Sequence, residues 1–99
     1  MNHDAVSVTP DVYEVLFEND RVRVLNVVGE PGSVTPMHRH PDSVVHALSD
    51  ASIEVSSPDG EGRRVEISAG STFWTDENIH SVENVGDTTV RLLRIELKP

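Results

Sequence analysis

Apolar residues recur along this chain at every second position more often than at every third or fourth. In "RVRVLNVV", Arg21–Val28, the residues Val22, Val24 and Val28 fall on one face. "ASIEVSS" and "RRVEIS" repeat the period of two around Ile53 and Val55 and around Val65 and Ile67. "TVRLLRIEL", Thr89–Leu97, is apolar enough for a strand buried on at least one face. Asp11–Phe17 is the one segment with a helical alternative, and its Val, Tyr and Phe favour a strand. Turn-forming groups interrupt these runs at Asn19-Asp20, Glu30-Pro31-Gly32, His40-Pro41-Asp42, Pro58-Asp59-Gly60, Ala69-Gly70, Asp76-Glu77-Asn78 and Gly86-Asp87. Short strands with such punctuation predict an all-β sandwich or barrel. Residues 1–10 are expected to form a flexible N-terminal arm, ordered by edge pairing or by a partner subunit, ahead of one domain over 11–99.

Composition narrows the chemistry. With 99 residues the chain is long enough for one domain with one small site. There is no cysteine, so disulfides, thiolate metal sites and cysteine nucleophiles are excluded, and a transition metal would need imidazole, carboxylate or water. A formal charge of −9 repels phosphate backbones, which argues against nucleic-acid partners. No apolar run reaches membrane-spanning length, and "MNHDAVSVTP" lacks the basic start and apolar stretch of a secretory signal. The expectation is a soluble, cytoplasmic protein without a membrane partner.

Three of the five histidines lie in "PGSVTPMHRHPDSVVHALSD", Pro31–Asp50. On a strand, His38 and His40 project to the same side and Arg39 to the other. Two imidazoles at that spacing can share a cation at about 2.0–2.1 Å, but two ligands hold a divalent metal poorly. A third must come from elsewhere. His80 stands in "AGSTFWTDENIHSVENVG", Ala69–Gly86, after a Gly-led strand and a polar turn.

These two segments resemble the paired motifs of the cupin family. The first motif reads Gly, five residues, His-x-His, then three or four residues to Glu. Here Gly32 is followed by five residues and His38-Arg39-His40. The second reads Gly, five residues, Pro-x-Gly, two residues, His, three residues, Asn. Here Gly70 opens it, and His80 with Asn84 closes it. The resemblance runs from about Tyr13 to Leu97, and the nineteen residues of Ala51–Ala69 between the motifs suit a compact member. The phrasing "HPDSVVHALSD" and "HSVENVG" is similar to small single-domain bacterial cupins, including ones associated with β-alanine degradation. Two departures stand out. Val44 or Val45 falls where the motif glutamate belongs, and Asp76-Glu77-Asn78 replaces Pro-x-Gly with one residue fewer before His80. The resemblance implies an antiparallel double-stranded β-helix, the RmlC-like jelly-roll barrel, and a homodimer formed through an edge strand or the N-terminal segment. It also implies that His38, His40 and His80 hold one divalent transition metal (Fe, Zn, Mn, Ni or Cu) without a carboxylate.

Other residues keep two readings. If strand parity survives Pro41-Asp42, His46 shares the face of His38 and His40. It is then the candidate catalytic base, a fourth ligand or a donor behind the ligands; otherwise it bonds across the sheet. Phe73 is expected in the core and Trp74 in a pocket wall. Tyr13 and Phe17, four apart, are expected on one strand face, sealing the barrel or a subunit contact. Arg91 and Arg94 are expected in surface ion pairs, the alternative being a buried arginine with a partner or an anionic ligand. Asn84 is expected to be structural.

Three neutral imidazoles leave a metal's double positive charge uncancelled, which favours anionic ligands. The resemblance to cupins then implies a metal-dependent enzyme of dioxygenase or isomerase/lyase type acting on a small, anionic organic substrate. The alternatives are a non-catalytic ligand- or metal-binding module and a metal-free pocket.

Overall fold

A computed structural model describes residues 3–99, and nearly all of its regular structure is antiparallel strand. A single helical turn, α1 (Ala5–Val8), precedes nine strands. In chain order they are β1 (Tyr13–Glu18), β2 (Val22–Gly29), β3 (His38–His40), β4 (Ser43–Ala47), β5 (Ala51–Ser56), β6 (Gly62–Ile67), β7 (Thr72–Thr75), β8 (Asn78–Asn84) and β9 (Val90–Leu97). They form a five-stranded sheet in the order β1-β2-β9-β4-β7 and a four-stranded sheet in the order β3-β8-β5-β6. This is the all-β architecture expected from the alternating pattern, in the jelly-roll form that the cupin resemblance implies.

The turns form where the sequence marks them. Between β1 and β2 the Asn19 side-chain oxygen accepts hydrogen bonds from the N–H groups of Arg21 and Val22. Between β5 and β6 Asp59 accepts from the Glu61 N–H and the Ser57 hydroxyl. Gly32 and Gly70, which open the two motifs, have φ of +83° and +85°, a region that side-chain-bearing residues avoid.

One apolar cluster joins the two sheets, with Ala51 and Ile53 of β5 against Val90 of β9. A second contains Tyr13, Leu25 and Val27 together with Ala5. The expected arm is therefore packed over its helical turn. Ala5 is fully buried, Asp4 caps α1 through the Ser7 N–H, and the Arg23 guanidinium holds Asp4 at 2.5 Å. Met1 and Asn2 of that arm lie outside the described residues.

Parity differs from expectation in β1, while in β2 Val22, Val24 and Val28 share a face as expected. A register shift between Val15 and Phe17 breaks the alternation in β1, so Tyr13 is buried while Phe17 is 54% exposed. An extra residue in one strand turns every later side chain to the other face. In β2 the residues directed inward are Leu25 and Val27; Val22, Val24 and Val28 lie half-buried on the outer face.

Candidate metal centre

β3 and β8 pair so that His38 stands opposite His80 and His40 opposite Asn78. The i, i+2 spacing then carries His38 and His40 to the same side, and both are fully buried. The ring centroids of His38 and His80 are 4.8 Å apart, those of His38 and His40 4.8 Å, and those of His40 and His80 5.3 Å. One ring nitrogen from each of the three lies within 4.8 Å of the others. Two motifs about forty residues apart in the chain thus meet at one point.

Hydrogen bonds settle which nitrogens face that point. His38 Nδ1 lies 2.8 Å from the Pro36 carbonyl, which can only accept, so Nδ1 carries the proton and Nε2 the lone pair. His40 Nδ1 lies 2.7 Å from Glu96 Oε2, and Arg23 donates to Oε1 of the same carboxylate at 2.8 Å, so His40 also turns a bare Nε2 inward. The Tyr13 hydroxyl sits 3.1 Å from His38 Nε2 and 3.3 Å from His40 Nε2. It has one hydrogen for two acceptors. His80 Nε2 is buried with no hydrogen-bond partner among the described residues. The Nε2 atoms of His38 and His40 thus share one proton donor, beside a third imidazole whose Nε2 is unpartnered. Such a set fits a cation, because buried lone pairs without a donor are otherwise unfavourable.

Electrostatics points the same way. Burial, reinforced by Arg94 and His38, pushes His40 down to about 2. Burial and the two neighbouring imidazoles push His80 down to about 3. His38 is lowered as well, chiefly by burial. All three rings are neutral at pH 7, the state a metal requires of imidazole. Burial raises Tyr13 to about 12, so its hydroxyl stays a donor.

Behind the rings runs a chain of charge: His40, Glu96, Arg23 and Asp4. Glu96 was not foreseen as a site residue. Its signal is visible in hindsight, since Arg94 and Glu96 alternate on one face of a strand otherwise apolar. Glutamine at position 96 is expected to weaken metal binding about 10- to 100-fold, as loss of a carboxylate behind a ligating histidine does. Alanine there, leaving Arg23 short of its buried partner, is expected to destabilise by roughly 3–5 kcal/mol. Competition titration with a chelator and urea unfolding read the two effects.

Other sequence-derived candidates are sorted by register. Buried Ser43, Val45 and Ala47 of β4 face inward, so His46 points outward; this corrects the expectation that it shares the face of His38 and His40. Parity does not survive the Pro41-Asp42 turn. His46 Nδ1 pairs with the Thr72 hydroxyl at 2.7 Å, across the sheet. Val45 occupies the inward position near the missing motif glutamate. Phe73, paired with Val45, is exposed rather than in the core as expected, and Trp74, paired with outward Val44, is exposed as well; both line the cavity that His80 lines. Asn84 is structural: its amide donates to the Gly29 and Thr88 carbonyls. Arg91 is exposed, but Arg94 is buried and lines the cavity, against the expectation of a surface pair.

No protein-family model and no curated protein matches the chain. Solved structures do. A cupin domain protein from Bordetella pertussis Tohama I is 29% identical, with 89% of this chain and 93% of that chain covered and a TM-score of 0.82. An RmlC-like cupin family protein from Methanocaldococcus jannaschii is 15% identical, covering 87% of this chain and 78% of its own, with a TM-score of 0.67. The polyketide cyclase RemF from Streptomyces resistomycificus is 22% identical, covering 86% and 63%, with a TM-score of 0.65. The latter two show the fold alone. Taken with the two motifs, the sheet order and the converging imidazoles, the likeness to the Bordetella pertussis cupin domain places the chain in the cupin superfamily.

Proposed function

We propose that this cupin holds one divalent transition metal on His38, His40 and His80 and acts on a small anionic organic molecule in the adjoining cavity. The observation that carries this reading is the convergence of three neutral imidazoles, with one hydroxyl shared by the Nε2 atoms of His38 and His40 and, among the described residues, none at His80 Nε2. A metal bound there would supply a Lewis acid, with its double charge uncancelled by any carboxylate ligand, to polarise a substrate oxygen and stabilise a developing anion. Imidazole donors suit Fe, Zn, Ni and Cu, and Mn is retained as a candidate.

The chain's own residues supply the setting. The Pro36 carbonyl and Glu96 fix the tautomers of His38 and His40. Tyr13 keeps its proton beside the Nε2 atoms of His38 and His40, a hydroxyl that a metal taking those lone pairs would release to donate elsewhere in the site. Val27, Val45, Val82 and Leu92 supply an apolar part of the wall of a cavity of about 730 Å³. Reactions of dioxygenase or isomerase/lyase type fit these parts. The likeness to a polyketide cyclase supports chemistry on a small organic molecule in this fold. His46 is not part of this proposal, because it lies on the outer face. A second reading, a non-catalytic binding module, draws on Val45 standing where a carboxylate ligand would be.

Among the described residues no helix is long and apolar enough to cross a membrane. Cytoplasmic location and a homodimer remain part of the proposal. Val22, Val24, Val44, Leu93 and Ile95 on the outer face of the five-stranded sheet are the surface to test for pairing, by light scattering on the wild-type chain and a Leu93→Asp variant.

Elemental analysis of protein prepared without a histidine tag tests the metal. Stoichiometric transition metal is the expected result. A chain that is metal-free and also refuses Fe(II), Mn(II), Ni(II), Cu(II) and Zn(II) on reconstitution would refute it.

A further inference from the structure

The cavity that His80 lines carries two further polar atoms without partners among the described residues. Arg94 projects inward from β9, in register between Leu25 and Val45, and only 7% of its surface is exposed. Its one hydrogen bond among the described residues runs from Nη2 to the Thr75 hydroxyl at 2.9 Å. Its Nε is buried without an acceptor. The nearest acid on its strand is Glu96, but the two oxygens of Glu96 are taken by Arg23 and His40. A buried guanidinium without a carboxylate is unfavourable unless something supplies the anion.

Asn78, also lining the cavity, is the complementary case. Its amide nitrogen donates to the Asp76 carbonyl at 2.8 Å, which fixes the orientation of the side chain. Its Oδ1 is then a buried acceptor with no donor. One cavity, lined also by apolar side chains, thus offers a buried guanidinium with an unpartnered Nε and an unpartnered carbonyl oxygen.

We propose that the cavity binds a small hydroxycarboxylic acid, its carboxylate on the Arg94 guanidinium and its hydroxyl donating to Asn78 Oδ1. A carboxylate matches the planar fork and its single charge. A phosphate dianion would want more donors, and Glu61, Asp76 and Glu77 around the cavity repel the extra charge. The apolar wall takes the carbon chain. This deepens the proposed function by naming the substrate class. It rests on that reading only for what happens after binding, since Arg94 and Asn78 recognise the acid without the metal.

The test is calorimetric titration of the full chain with 2-, 3- and 4-hydroxybutyrate, butyrate, the three hydroxybutyramides and inorganic phosphate. Each titration is done on chelator-treated and metal-reconstituted protein of measured metal content. At least one hydroxybutyrate is expected to bind both forms. The corresponding amide should bind about 30- to 1000-fold more weakly, the range for removing one partner of a buried charge pair. Arg94→Met should lose the acid to the same extent, and Arg94→Lys, which keeps the charge but not the fork, should recover part of it. Asn78→Leu should abolish the preference for a hydroxybutyrate over butyrate while leaving the requirement for the acid. Should Arg94→Met not fold, the acid-against-amide comparison on the unaltered chain carries the test.

Amides binding as tightly as acids, undiminished binding by Arg94→Met, or phosphate outcompeting every acid would overturn the proposal. So would the absence of binding by any acid to either form. A chain that takes no metal yet binds acids through Arg94 would support this inference and remove only the metal reading. A chain that takes metal and shows no Arg94-dependent binding would remove this inference alone.

Discussion

Alanine at position 80 is expected to strip the metal from the protein while leaving the fold intact. His80 supplies one of three donors, and two imidazoles do not hold a divalent cation well. Residues behind a ligand are worth about 10- to 100-fold in affinity, so loss of a ligand itself should exceed about 100-fold. The fold should tolerate the change because His80 Nε2 has no hydrogen-bond partner to lose. Its barrel neighbours His38 and His40 keep their bonds to the Pro36 carbonyl and to Glu96. Differential scanning calorimetry separates the two effects. At metal one hundredfold above its dissociation constant the wild-type chain should gain about 2.7 kcal/mol. For a domain of this size that is roughly 10–20 °C in melting temperature. The His80→Ala chain should gain nothing. A variant that keeps its metal, or that melts higher with metal as the wild type does, would show that the ion sits elsewhere.

Acidification of the metal-free protein should produce the other large effect. His38, His40 and His80 are all depressed in the folded state, with burial the first cause in each. A histidine whose folded pKa is below its unfolded value stabilises fully above about 6.5. It loses that contribution as pH falls towards the folded value, here about 3 for His80 and about 2 for His40. Over that window the unfolded chain binds more protons than the folded one. Each ring then removes up to about 1.4 kcal/mol per pH unit. Glu96, raised by burial, titrates in the opposite sense and takes back part of the slope. Three rings acting together would still exhaust a stability of about 5–15 kcal/mol within a few pH units below 6.5. Urea midpoints measured from pH 7.5 down to pH 4 should therefore fall steeply, and the fall should be shallower in His80→Ala. A flat profile between pH 6.5 and 4 would mean that the rings are not held neutral in a buried cluster.

Much of this was legible in the chain. The period of two along "ASIEVSS" and "RRVEIS" gave β5 and β6, and the Pro58-Asp59-Gly60 signal gave the turn joining them. Gly32 and Gly70 opened the two motifs, and the structure bends the chain at both. His38 and His40 shared a face because a strand fixes parity over two residues. Parity over longer stretches was not legible. The register shift after Val15 separated Phe17 from Tyr13, and the Pro41-Asp42 turn put His46 outside. Arg94 and Glu96 were equally hidden. Alternation along Thr89–Leu97 shows which residues travel together, but not which set faces the interior, and both sets there are rich in apolar side chains. In this strand the set with Arg94 and Glu96 went inside, and the set with Arg91 outside.

The sequence by itself determined the local quantities: where strands run, where the chain turns, that imidazole and carboxylate are the available ligands, and that His38 and His40 act as a pair. Strand period, turn chemistry and residue type depend only on neighbours along the chain. The tertiary structure alone decided that His80 faces that pair, that Tyr13 lies between two of the rings, that Glu96 braces His40, and that Arg94 enters the cavity without a carboxylate. Those facts depend on register between strands far apart in sequence, and register is set by which face the whole barrel can bury.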